Sequence, residues 1–456
     1  MKPYCFLLCL FCFVYPFDVS AQYKLAGNMF FKKLSNGLDV LAIEDNTVPL
    51  ATIMVTIKNG AYTEPPRFNG LSHLYEHMFF KSNKDYPTLD EFQYQESKLG
   101  INSNATTSYE KVNYFFTLPK KNLKPGLNFM NSALRFPKFD KNEMEREKIV
   151  VNAEFQRKES NPYYALADAM NRHMWGDLYS RRNTIGNHNV ILSATPDLMD
   201  SIKNKYYYPN NSLLTIAGDI DHNEVFNLVE KIFGSWAHSP FDPFELWPIP
   251  TFEPLEKNDY FIVESQIAKV PIIEFCWQGP EMHDDITSTY AADVFSYAVE
   301  QNSSKLNKAL VQSGLALDVS VSYLTLNHKG PITILIVPNA NKLKECIEEA
   351  KRQISLFKSD DYLTDDQIEN AKRALDVNKI IQRESALNYS EELSFWWAST
   401  SLDYFSTYLE NVNKISRQDI QNYIQRYIIG KPYCAGLIIN PSQKSLLQPE
   451  TFFQAN

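Results

Sequence analysis

Cysteine is scarce in this chain. Six occur among 456 residues, and Cys5, Cys9 and Cys12 fall inside an N-terminal segment that reads as a leader. Cys276, Cys346 and Cys434 remain, an odd and widely spaced set, which excludes a disulfide framework. No C-x-x-C pair is present to hold a metal, and Cys276, in an apolar strand-like run, reads as a small core residue. Basic runs and a Gly-rich phosphate loop are also missing. With a formal net charge of -9 and a pI near 5.5, nucleic acid is excluded as the main partner. Long apolar runs are missing too: residues 5 to 14 form the one unbroken stretch, too short to span a bilayer comfortably.

That stretch, with Lys2 before it and Val19-Ser20-Ala21 after it, has the plan of a signal peptide over residues 1 to 21, cleaved after Ala21. The alternative is an uncleaved anchor. Neither Cys9 nor Cys12 is preceded by the small residue a lipoprotein site wants. Export with so few cysteines points to a periplasm, or to the extracellular space, and to no stable membrane span once the leader is gone.

What is present is an ordinary globular composition, 44% hydrophobic and 22% charged, in a chain long enough for two or three domains. Residues 30 to 34, 38 to 44 and 51 to 57 predict a three-stranded meander with a tight turn at Ser35-Asn36-Gly37. Helices are expected over 89 to 99, 141 to 158 and 224 to 233, and strands over 113 to 118 and 213 to 217. Pro240, Pro243, Pro248, Pro250 and Pro254 then fall within fifteen residues, the best candidate for a linker. Beyond it the pattern restarts. Strands are expected over 267 to 277, 319 to 323, 332 to 337 and 434 to 439, and helices over 287 to 310, 341 to 358 and 364 to 383. The adjacent Trp396 and Trp397 read as core.

Both halves end alike, as helix, aromatic and Pro-bearing turn, then strand: Tyr206 to Asn211 in the first, Arg426 to Pro432 in the second. That predicts duplicated domains of the α+β class, each a largely antiparallel sheet packed with helices. The expected boundaries are 22–238, a Pro-rich linker at 239–257, and 258–456.

The most specific signal is His73-Leu-Tyr-Glu76-His77. Four residues apart on a helix, the two imidazoles project from one face. Two His at this spacing suit a tetrahedral zinc, and Glu76 beside them suits a base that takes a proton from water. The order H-x-x-E-H reverses the commoner H-E-x-x-H arrangement. Zinc wants a third protein ligand, and the helix from Glu143 to Glu154 supplies candidates. Glu147 and Glu154 lie seven apart on one face, with Val150 and Val151 between them.

Gly70 to Lys81 together with Glu147 to Glu154 resemble the pitrilysin/insulysin (insulinase-like) family of zinc metallopeptidases, in its short two-domain form. Leu99 to Thr107, Tyr208-Pro209-Asn210, Ala217-Gly218-Asp219 and Leu363 to Lys372 extend the resemblance along the chain. The resemblance implies one Zn2+ per chain, held by His73, His77 and Glu154, with Glu76 as general base and Glu147 as a supporting carboxylate. It implies two homologous domains forming half of a clamshell. It also places Asn104 and Ala105 on an edge strand beside the metal, where a peptide substrate would add as a further strand.

One stretch departs from the family. Active members carry an Arg and a Tyr in a sequence like Leu-Arg-Glu-Lys-x-Gly-Leu-Ala-Tyr, the Tyr helping to stabilise the oxyanion. The matching stretch here, Leu310 to Asp318, is one residue shorter, with Val311 near the Arg position and Leu317 at the Tyr position. The expectation is therefore a heterodimer with a paralogous subunit that lacks the zinc motif and brings this pair. The competing reading is a non-catalytic peptide-binding or scaffold subunit. A solute-binding protein has only export and two domains in its favour.

Overall fold

A computed structural model describes residues 25–453 apart from 177, 179 and 180. The leader expected over residues 1 to 21 lies outside the described residues. Among the described residues, no helix is long and apolar enough to cross a membrane.

The first half builds a six-stranded sheet from β1 (Met29–Lys33), β2 (Asp39–Glu44), β3 (Leu50–Ile57), β4 (Asn102–Thr107), β5 (Val112–Pro119) and β6 (Ser212–Gly218), in the order β1-β2-β6-β3-β5-β4. The expected meander does not form. β1 and β2 pair as a hairpin, but β6 inserts between β2 and β3, parallel to the former and antiparallel to the latter. All seven residues of β6 are buried, so a central position with neighbours on both sides is what its apolar run requires. The longer helices of this half are α1 (Leu71–Phe79), α2 (Leu89–Leu99), α3 (Leu123–Arg135), α4 (Lys141–Glu159), α5 (Pro162–Trp175), α6 (Pro196–Tyr206) and α7 (His222–Phe233). Thr88 and Glu91 form a capping box that starts α2, and Gly100 at φ 64 ends it.

The second half builds a five-stranded sheet from β7 (Asp259–Glu264), β8 (Ile272–Gln278), β9 (Ala316–Tyr323), β10 (Pro331–Pro338) and β11 (Cys434–Ile439), in the order β7-β11-β8-β10-β9. β8 starts after Pro271, not at Ile267, since proline cannot donate to the ladder. β7, unforeseen in the sequence, completes the edge. The longer helices are α8 (Ile286–Val299), α9 (Leu343–Leu356), α10 (Asp365–Ile381), α11 (Ala386–Ser399), α12 (Leu402–Lys414) and α13 (Arg417–Tyr427). The helix expected to 310 breaks after Val299, where the Ser304 hydroxyl donates to Val299 O and accepts from Asn307 N, starting a new turn.

The two sheets repeat one plan. In each, a parallel pair (β2/β6, β7/β11) is followed by antiparallel β3, β5 and β4, or β8, β10 and β9. α1 lies between β3 and β4 in the chain as α8 lies between β8 and β9. The halves then exchange one helical segment each. α5, from the first half, packs on β8 and β11 through Leu166, Met170 and Met174. α11, from the second, packs on β3 and β6 through Leu393 and Trp397. Trp397 is thus core, as expected, but core of the other half's sheet: its Nε1 donates to Asp39 Oδ2 at 3.0 Å. Between the halves the proline-bearing stretch holds one short helix, Pro243–Leu246, and buries Phe252 against the α5 seam.

Candidate metal centre

α1 carries His73, Glu76 and His77 along the floor of the first half, its opposite face buried through Leu71, Leu74, Tyr75 and Met78. Its N-terminus is fixed in two ways. The Glu64 carboxylate accepts from Gly70 N at 2.7 Å and Ser72 N at 2.6 Å, satisfying two amides that a helix start leaves open. Burial pushes Glu64 up to about 7. Gly70 and Gly186 meet backbone to backbone, both at positive φ.

α4 runs alongside and brings Glu147 and Glu154 to the same face of α1. Glu154 Oε2 stands 3.6 Å from His73 Nε2 and 3.8 Å from His77 Nε2. The imidazole rings meet edge to face with centroids 4.8 Å apart. These donors are too far apart to be hydrogen bonded to one another. They fit instead around one small divalent ion, whose ligand atoms at about 2.0–2.2 Å stand roughly 3.3–3.6 Å apart at tetrahedral angles. Burial holds His73 down at about 3, so its ring is neutral, as a ligand must be. Two imidazoles and one carboxylate are a zinc-type donor set, and the residues therefore fit the metal.

Glu147 stands outside this triangle. Its Oε2 faces His77 Nδ1 at 3.1 Å and its Oε1 accepts from Lys81 Nζ at 2.6 Å. Burial alone would raise this carboxylate, but the bonds from His77 and Lys81 outweigh it and hold it below its usual range. The arrangement fixes the His77 ring with Nε2 turned inward. Glu76 is nearly buried, which raises its pKa, and it accepts a hydrogen bond from the Thr107 hydroxyl on β4. β4 is the open edge of the sheet. Ala105 is buried, Asn104 is exposed, and the Ala105 amide donates to Asn104 Oδ1 at 2.9 Å on the side away from β5. That amide therefore belongs to the free edge.

Every site residue anticipated from the sequence lies on this one face or on β4 beside it. Sequence reasoning missed Glu64, whose signal was an acid just ahead of a Gly-initiated helix. It also missed Lys158, one turn beyond Glu154 on α4, whose charge acts on both Glu154 and Glu76. Among the described residues a second cluster, Glu44, Asp221 and His222, has metal-like spacing, but His222 Nδ1 is already bonded to Glu44 at 2.8 Å.

On α8, Asp293, Ser296 and Tyr297 repeat the spacing of His73, Glu76 and His77. Asp293 accepts from Tyr408 Oη at 2.6 Å, and a Lys, Lys379, lies against the same pocket. An ammonium and a phenol at such positions do not make a metal site.

Two helix-packed sheets on one plan, with a zinc-type donor set on the first, define a two-domain α+β protein with a candidate metal centre. Comparison with known proteins makes the class specific. Residues 39–187 match the family model described as insulinase (peptidase family M16), and residues 193–375 match the peptidase M16 inactive domain. The chain belongs to the insulinase family, peptidase family M16. It is 24% identical over 356 residues to the uncharacterized zinc protease YmxG of Bacillus subtilis, covering 77% of this chain and 83% of that relative. A protease from Helicobacter pylori superposes with a TM-score of 0.78 at 21% identity, over 90% of this chain and 99% of the other. The periplasmic protease PqqL from Escherichia coli superposes at 0.73 and 15% identity, over 93% of this chain but 50% of its own length. At such identities the structural likenesses speak for the fold.

Proposed function

We propose that this chain is an exported zinc endopeptidase subunit, with His73, His77 and Glu154 as the metal ligands and Glu76 as the general base. The observation that carries the reading is the convergence of two imidazole Nε2 atoms and one carboxylate oxygen beside a raised, nearly buried glutamate. A zinc held there supplies a Lewis acid that polarises a peptide carbonyl and acidifies a water. Glu76, whose burial raises its pKa, takes the water proton and passes it to the leaving amine. Thr107 holds the Glu76 carboxylate in place, and Glu147, itself held by Lys81, orients His77. The open edge of β4 at Asn104 and Ala105 receives the substrate backbone as an added strand.

The chain does not carry the Arg/Tyr pair of the family. Leu317 stands at the Tyr position and is 61% exposed. A paralogous subunit lacking the zinc motif supplies that pair in this reading, closing the second half of the clamshell. PqqL, whose one chain is twice the length matched here, is consistent with that arrangement. The same absence favours the second reading, a non-catalytic peptide-binding or scaffold subunit.

Glu76→Gln separates the two. The variant is expected to retain one zinc per chain by elemental analysis while peptide cleavage by the assembled enzyme is lost. His73→Ala and Glu154→Ala are expected to lose the metal. Zinc content unchanged in either ligand variant refutes the ligand set, and cleavage retained by Glu76→Gln removes that residue from its role.

A further inference from the structure

At the far end of the second sheet, where β7 and β11 begin and β8 ends beneath α9, lies a cavity of about 610 Å³. Its size suits a small organic ligand, for which pockets of roughly 300–1,000 Å³ are usual. Its floor is aromatic: Tyr260, Trp277 and Tyr433 line it, with Trp277 and Tyr433 ring centroids 5.2 Å apart. Trp277 is 1% exposed, and its Nε1 is buried without a hydrogen-bond partner among the described residues. A buried indole donor normally finds a partner.

The rim is basic. Lys257, Lys351, Lys358 and Lys431 come from three separate segments, and among the described residues no carboxylate lines the cavity. In a chain of net charge -9 this is a local reversal of sign. Lys351 is engaged, its Nζ lying 5.0 Å over the Tyr260 ring and donating to Phe453 O at 3.4 Å. Lys257, Lys358 and Lys431 are exposed, and among the described residues none of the three makes an ion pair. Like charges gathered around an apolar pocket repel one another, and an anion seated among them relieves that cost.

We propose that this cavity binds a small aromatic anion, its planar body against the half-buried rings of Tyr260 and Tyr433, with Trp277 packed beneath them, and its single carboxylate-type head among the three free lysines. The site lies on the second sheet and is separate from the α1/α4 face. It works by charge and stacking together.

The test uses the full chain and naphthalene-2-carboxylate, titrated by isothermal calorimetry, with naphthalene-2-carboxamide as the uncharged control. Saturable binding of the acid is expected at one site per chain, with the amide weaker by on the order of tenfold. The triple variant Lys257→Glu, Lys358→Glu, Lys431→Glu is expected to weaken the acid by at least about tenfold and to leave the amide unchanged. Its circular dichroism and Tm should match the parent, because all three side chains are exposed. Absence of saturation below about 1 mM overturns the proposal. So does an amide that binds as tightly as the acid, or a triple variant with parental affinity.

Discussion

Glu274 shows how one side chain can tax a fold. It sits in mid-β8, 5% exposed, and its Oε2 has no hydrogen-bond partner among the described residues. Burial raises its pKa from 4.5 to about 7. The groups that feel its charge, Tyr163 on α5, Tyr109 and Cys276, are themselves without positive charge. Between about pH 4.5 and 7 the folded chain holds a proton here that the unfolded chain has released. Stability therefore falls as pH rises through that window and stays low above it. Glu274→Gln removes the ionisation. It is expected to raise stability at pH 8 by about 1–3 kcal/mol and to flatten the pH dependence between 5 and 7. Denaturant melts at several pH values check this, and an unchanged slope would refute it. Nothing in the sequence marks Glu274, since its neighbour across the seam, α5, is more than a hundred residues earlier in the chain. The motif residues are the opposite case. His73, Glu76 and His77 were legible because helical spacing alone puts them on one face. Glu154 was narrowed to a short set for the same reason.

At the scale of the element, the question is what aims α1. The answer is a contact of two glycines. A Cβ on Gly186 would stand 2.2 Å from Gly70 Cα and 2.4 Å from Asn69 O, all backbone that cannot swing away. Gly186→Ala is expected to cost about 2–4 kcal/mol, from positive-φ strain plus displacement of the helix start. It should also loosen metal retention against a chelator. Gly176→Ala is the control, because Gly176 has φ 58 but open space where its Cβ would go. Equal loss of Tm and metal in the two variants would show that the glycine contact does not position α1. Here too legibility divides. Helix α1 and strands β2, β3 and β6 announced themselves by periodicity or apolar runs. The insertion of β6 between β2 and β3 did not, because it joins segments more than 150 residues apart by register, not by turn chemistry. β7 was hidden just past the proline stretch and bounded by Asp259 and Glu264, so its short apolar centre drew no strand at the start of the second domain.

For the whole molecule, the exchange of helices between halves decides how it unfolds. Tyr389, Leu393, Trp397, Leu402 and Phe405 of the second half lie with Leu41, Ile43 and Leu213 of the first sheet in one buried cluster. Each such side chain is worth about 1.5–3 kcal/mol when removed from water, so parting the halves forfeits on the order of 10 kcal/mol. That rivals the roughly 5–15 kcal/mol that stabilises a typical fold. The reciprocal seam under α5 adds to the loss, and so do two buried groups of the first half: Arg181 Nε donates to Lys329 O at 3.0 Å, and Glu110 accepts from Asn327 N at 2.9 Å. The two halves are therefore expected to melt as one unit. Trp397→Ala tests this from a residue that lies in the second half of the chain. It removes a 7%-exposed indole and its bond to Asp39, a change expected to cost about 3–5 kcal/mol. If the halves are one cooperative unit, calorimetry of the variant shows a single transition, shifted down. Metal release from the α1/α4 face and loss of the second sheet then occur together. Two separated transitions, with only the first half weakened, would mean that the exchanged helices decorate two independent domains and do not join them.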